Sequence, residues 1–92
     1  MDVFIYYFGC IVADRDAVED ALDESLSNLG GEVTGAGAGE AGGNFDLSFP
    51  SGADSIQIRD AIFKVLRSFH FPPDTKLTTA EDEWSLGSIR QD

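Results

Sequence analysis

Gly37, Gly39 and Gly42 fall at the spacing Gly-x-Gly-x-x-Gly, which cradles a pyrophosphate where it joins a strand to the start of a helix. Here the glycines lead instead toward Phe45-Asp46-Leu47-Ser48-Phe49, whose alternation predicts a strand, and no Lys or Arg lies within the loop. The run reads as a hairpin whose backbone needs unusual dihedrals or approaches another chain closely. Gly-Lys-Ser and Gly-Lys-Thr are absent, which excludes a triphosphate-binding loop.

Nucleophilic catalysis needs a base beside the nucleophile, and the one histidine, His70, stands between Phe69 and Phe71 just before Pro72-Pro73. A packed or capping histidine accounts for that position. Carboxylates are so numerous that acid pairs arise by chance, and none is singled out for general acid–base work. Metal ligation fares no better: there is one cysteine, no second histidine and no calcium loop. Glu81, Asp82 and Glu83 could hold a divalent ion weakly, but a solvated charge run explains them as well. The expectation is a chain with no catalytic constellation, no cofactor and no metal site, and so not an enzyme.

Seventeen Asp and Glu against six Lys and Arg give a formal net charge of −11, which repels phosphate backbones and anionic membranes. Direct binding to nucleic acid or membrane is disfavoured. The charge has two readings, solubility in an acid-rich proteome or a surface complementary to a basic partner. It is also segregated: residues 14–29 hold six acids and one base, whereas residues 54–69 hold two acids and three bases. Cys10 cannot form an internal disulfide and sits in the most apolar stretch, which suggests a buried thiol in a reducing compartment. The apolar run from Val3 to Ala13 has no basic lead-in and is too short to span a bilayer, so a cytoplasmic location is expected.

Ninety-two residues accommodate one core, and a 42% hydrophobic fraction suffices to fold it without disulfides or metal. A single domain over 1–92 is expected, with a core over 1–80 and a tail or short extra element over 81–92. Val3 to Val12 is apolar at both parities, as in a central strand buried on both faces. Asp16 and Glu19 have capping-box spacing. They open a helix whose Ala17, Val18, Ala21, Leu22, Ser25, Leu26 and Leu29 share a face, ended by Gly30-Gly31. Glu32 to Gly39 reads as a glycine-weakened strand, Glu40 to Asn44 as a hairpin connection and Phe45 to Phe49 as the next strand.

A second helix begins near Asp54, with Ile58, Ala61, Ile62, Val65, Leu66 and Phe69 inward and Arg59, Lys64 and Arg67 outward. Pro72-Pro73 stops it, and Thr75 to Ala80 is a candidate fourth strand. The order βαββαβ predicts an α+β fold of ferredoxin-like type, a four-stranded antiparallel sheet with two helices on one face. Such a sheet leaves one face bare, yet the first strand offers Phe4, Tyr6 and Phe8 at one parity and Val3, Ile5, Tyr7 and Ile11 at the other. One apolar set must therefore face away from the helices. Its cover would be the Trp84, Leu86 and Ile89 tail, a second copy of the chain or a partner.

Among families of this plan, acylphosphatases carry an arginine-containing phosphate loop where this chain has Ala13-Asp14-Arg15-Asp16, whose carboxylates would repel phosphate. Metal chaperones need paired cysteines in that loop, and RNA-recognition modules need a basic surface. The run from Gly31-Glu-Val-Thr-Gly-Ala-Gly37 through Gly42-Gly-Asn-Phe-Asp-Leu-Ser-Phe49, then an amphipathic helix and Pro72-Pro-Asp-Thr75, resembles short acidic bacterial immunity proteins that neutralise toxins. Phage-encoded inhibitors of nucleic-acid enzymes share the same small, acidic character. The resemblance implies a non-catalytic inhibitor that occludes a basic protein, either a toxin or a nucleic-acid-handling enzyme whose ligand it mimics. The partner-binding candidates are Glu19, Asp20, Asp23 and Glu24 on helix one, with Glu81, Asp82, Glu83 and Trp84, which join an aromatic anchor to flanking charge. The alternative is a small-molecule-binding or dimerising regulatory domain that works through the glycine-rich hairpin and the bare sheet face, as a homodimer in the dimerising case.

Overall fold

The apolar run near the N-terminus forms the middle of a sheet. The computed structural model describes residues 1–9, 14–39 and 41–88. Within them β1 (Asp2–Phe8) is followed by α1 (Arg15–Leu26), β2 (Glu32–Gly39), β3 (Gly42–Ser48), α2 (Ser55–Ser68), β4 (Lys76–Thr78) and β5 (Glu83–Ser85). Short 3₁₀ turns cover Ser27–Leu29 and Leu86–Ser88. The strands pair antiparallel throughout in the order β2-β3-β1-β4-β5, an open sheet of five strands where four were expected. The extra strand is the region read as a tail. It forms because Lys76, Leu77 and Thr78 pair with Ser85, Trp84 and Glu83 across a tight turn. Cys10, Ile11 and the end of the expected first strand lie outside the described residues, as does Ile89.

Strand alternation sorts every side chain to one of two faces. Rows run straight across the sheet, and Ala36, Phe45, Ile5, Leu77 and Trp84 make one. That row and the neighbouring Val33–Leu47–Val3 row face the helices. Val18, Leu22 and Leu26 of α1 and Ile58, Ile62, Phe63 and Leu66 of α2 close over them in one core, each 0–2% exposed. Each such side chain contributes roughly 1.5–3 kcal/mol through burial. Ala17 and Ser25, expected on the inner face of α1, are exposed, while Phe63 of α2 is fully buried though the helical pattern did not require it. Tyr7 joins this core, its ring 5.8 Å from Phe45 and 5.5 Å edge-on to Phe71.

Local chemistry fixes the ends of the elements. Asp14, not Asp16, caps α1: it is extended and its Oδ1 accepts from the Asp16 N–H at 3.2 Å. Asp54, near which the second helix was expected to begin, caps α2, accepting from Ile56 and Gln57. β3 also begins earlier than the sequence suggests, because Gly42 and Gly43, read as part of the connection, already belong to it. Their place is a matter of room. A Cβ at Gly42, where φ is +141°, would strike the Tyr7 carbonyl oxygen, and one at Gly43 would strike the Tyr7 phenol oxygen.

Candidate functional site

The face of the sheet away from the helices carries no second layer among the described residues. Phe4, Tyr6 and Phe8 form a ridge along it; Phe4 and Tyr6 stack with centroids 6.4 Å apart, and Tyr6 and Phe8 are 42% and 47% exposed. Trp84 and Leu86, the described residues of the expected cover, do not lie over them. Alternation places Trp84 opposite Leu77 on the helix side, where Arg59 lies over its ring at 5.5 Å, and Leu86 is buried in the core. Arg59, expected outside, is thereby half-buried.

Two rows cross the open face. One runs Gly35–Asp46–Phe4–Thr78–Glu83 and the other Gly37–Asn44–Tyr6–Lys76–Ser85. Asp2 and Glu32 flank Ser48 in a third. Lys76 is the one cation of these rows among the described residues, and it sits 3.9 Å from Glu83. The ridge is thus a hydrophobic strip set among carboxylates, with hydroxyl and amide groups between them. Interfaces that bury aromatic side chains inside a charged rim have this composition.

The expected acidic residues divide into two places. On α1, Asp20, Asp23 and Glu24 are exposed and Glu19 is half-buried, all outside the buried stripe of Val18, Leu22 and Leu26. Asp23 is partly committed, since its Oδ1 accepts the Val33 N–H at 3.0 Å and ties α1 to the start of β2. Glu81 and Asp82 lie in the β4–β5 turn, which Thr79 organises: its N–H donates to the Asp82 carbonyl at 2.8 Å, and its hydroxyl accepts from the N–H groups of Asp82 and Glu81. This turn borders an open groove of about 380 Å³ shared with Met1, Asp2, Ala53 and Ser55. The α1 stripe accompanies β2 at one edge of the sheet, whereas Glu81 to Trp84 belong to the other. Four strand spacings, roughly 19 Å, separate those edges, so the two sets do not form one patch.

His70 is exposed and lies in the left-handed region at φ 58°, where it terminates α2. Among the described residues no group of three or more His, Cys, Asp or Glu is placed to hold a metal ion, and no helix is long and apolar enough to cross a membrane. The glycine run forms the β2–β3 hairpin, as its composition suggests. Asn44 and Asp46, not among the expected site residues, lean over β2. The signal was there in the polar positions of a strictly alternating strand opposite alternating glycines. A comparison with protein-family models, curated proteins and solved structures finds no match for this chain.

Proposed function

We propose that this chain is a non-catalytic acidic binding protein that docks on a basic partner protein and blocks it, in the manner of a toxin-immunity protein or a nucleic-acid-mimicking inhibitor. One observation carries the reading: Tyr6 and Phe8 stand exposed on a sheet face whose charged positions are Asp2, Glu32, Asp46 and Glu83, with Lys76 already beside Glu83. Long-range attraction from a net charge of −11 speeds encounter, and the aromatic ridge supplies the desolvated contact that slows release. The α1 stripe of Glu19, Asp20, Asp23 and Glu24 and the Glu81 to Trp84 segment then act as two separate steering patches. The underlying plan is read as a ferredoxin-like sheet, supported by the order β2-β3-β1-β4 with both helices on one face, and extended by β5.

The test is capture from a lysate of the source cell, followed by kinetics on what is captured. A basic protein should bind one-to-one. Its association should slow and lose salt dependence when Glu19, Asp20, Asp23 and Glu24 become Gln or Asn, and its dissociation should quicken in a Tyr6→Ser, Phe8→Ser double variant. Binding that ignores both sets of substitutions would sink the proposal. The second reading, a homodimer with the ridge buried between two sheets, is favoured by the same exposed rings. Light scattering on a size-exclusion column separates the two, because a monomer removes the dimer.

A further inference from the structure

The two edges of the sheet differ in a way that matters for recognition. β5 is three residues long and charged, a protected edge, whereas β2 is eight residues long and carries no Lys or Pro and no charge between Val33 and Gly39. Among the described residues no strand lies on its outer side, so the backbone N–H and C=O groups that alternate away from β3 lack a ladder partner there. The Val33 N–H is the exception, taken by Asp23. A bulge between Val33 and Gly35 marks the same end, leaving the stretch from Gly35 to Gly39 regular.

The side chains beside this edge are acceptors. A Cβ at residue 35 would lie 3.3 Å from Asp46 Oδ2, and one at residue 37 would lie 3.0 Å from Asn44 Oδ1, so both groups overhang the glycines and point toward the edge. Asn44 Nδ2 donates to Asp46 Oδ1 at 2.9 Å, which holds the pair in that orientation. On the helix side, Asp23 brings the acidic stripe of α1 alongside the same strand.

Extending the proposed function, and resting on its premise of a basic partner, we infer that the β2 edge accepts an extended basic segment of that partner as a sixth strand. A Lys or Arg placed opposite Gly35 crosses about two strand spacings, roughly 10 Å, to reach Asp46. Only glycine between them leaves that path open. A donor side chain two residues along meets Asn44 over Gly37. A second copy of this chain fits the edge poorly, since each copy carries a charge of −11 and offers no cation between Val33 and Gly39.

The probe is a blocked synthetic peptide alternating Lys with Val and Thr, titrated into the full chain while amide resonances are followed by NMR. Saturable shifts should centre on residues 34–39. Asp46→Asn should weaken the peptide about tenfold, as loss of a charge-assisted hydrogen bond implies, with the remaining amide spectrum unchanged as proof of folding. A fully N-methylated peptide and one with Glu for Lys should not bind. Shifts confined to the open face or to α1, equal affinity for Asp46→Asn, or a β2-mediated dimer of the free chain would each overturn the inference. A captured basic partner that depends on Tyr6 and Phe8 but ignores Asp46→Asn would also overturn it, while leaving the proposed function standing.

Discussion

Arg59 lies over the indole of Trp84, its guanidinium carbon 5.5 Å from the ring centroid, while the same guanidinium donates to Asp60 at 2.9 Å. The pair joins β5 to α2 and places Trp84, whatever else it touches, in an intramolecular contact. A double-mutant cycle of Arg59→Met and Trp84→Leu should give a coupling of about 1 kcal/mol in urea denaturation, the scale of a partly desolvated cation–aromatic contact. Any partner-binding defect of a Trp84 variant is therefore to be read beside its stability.

His70 occupies the left-handed position that closes α2, with its N–H donated to the Arg67 carbonyl and the Phe71 N–H to the Leu66 carbonyl. A side chain there meets the steric penalty that glycine lacks. His70→Gly should raise stability by about 1 kcal/mol, seen as a higher thermal midpoint. A fall would show that the imidazole contributes more than the backbone strain removes.

Thr75 is fully buried, and among the described residues its hydroxyl finds no hydrogen-bond partner. Its backbone carbonyl accepts from Leu86, so only the side-chain oxygen is left unsatisfied. Thr75→Val should be neutral or stabilising by up to about 1 kcal/mol. Thr75→Ser keeps the unsatisfied oxygen and loses a buried methyl, so it should cost roughly 1 kcal/mol. Chemical denaturation of the two variants side by side decides the matter.

Asp23 has a structural contact that its place in an acidic stripe conceals. Replacing it with Ala should cost about 1 kcal/mol through loss of the bond to Val33, whereas Asn retains an acceptor and should cost less. Amide exchange at Val33 is the direct readout and should quicken in the Ala variant.

Gly42 tolerates no side chain. With φ at +141° and the Tyr7 carbonyl in the space a Cβ would take, Gly42→Ala should destabilise by about 3 kcal/mol or more. Gly39→Ala, where a Cβ meets nothing within 4 Å, is the control and should change little in the same thermal melts.

The short-range features of this protein were legible in its residues. Alternation in Phe45 to Phe49, helical spacing in Val18 to Leu26 and in Ile58 to Leu66, and the start of α2 near Asp54 each follow from the backbone geometry of a few consecutive residues. The α+β class and the strands and helices up to β4 came with them, as did the need for one apolar set of β1 to face away from the helices. The fifth strand did not, because Glu83 continues the acidic run of Glu81 and Asp82, which reads as a solvated tail, and β5 exists only through its pairing with β4.

Acidity, the alternation within each strand and the presence of a glycine hairpin follow from residue type and local repeat alone. Where those properties meet is set by the packed fold. It put Trp84 under Arg59, separated the acids of α1 from those of the β4–β5 turn by the width of the sheet, and left Tyr6 and Phe8 exposed. It also laid Asn44 and Asp46 over Gly37 and Gly35. Each outcome rests on strand order and register, which bring together residues distant in the chain.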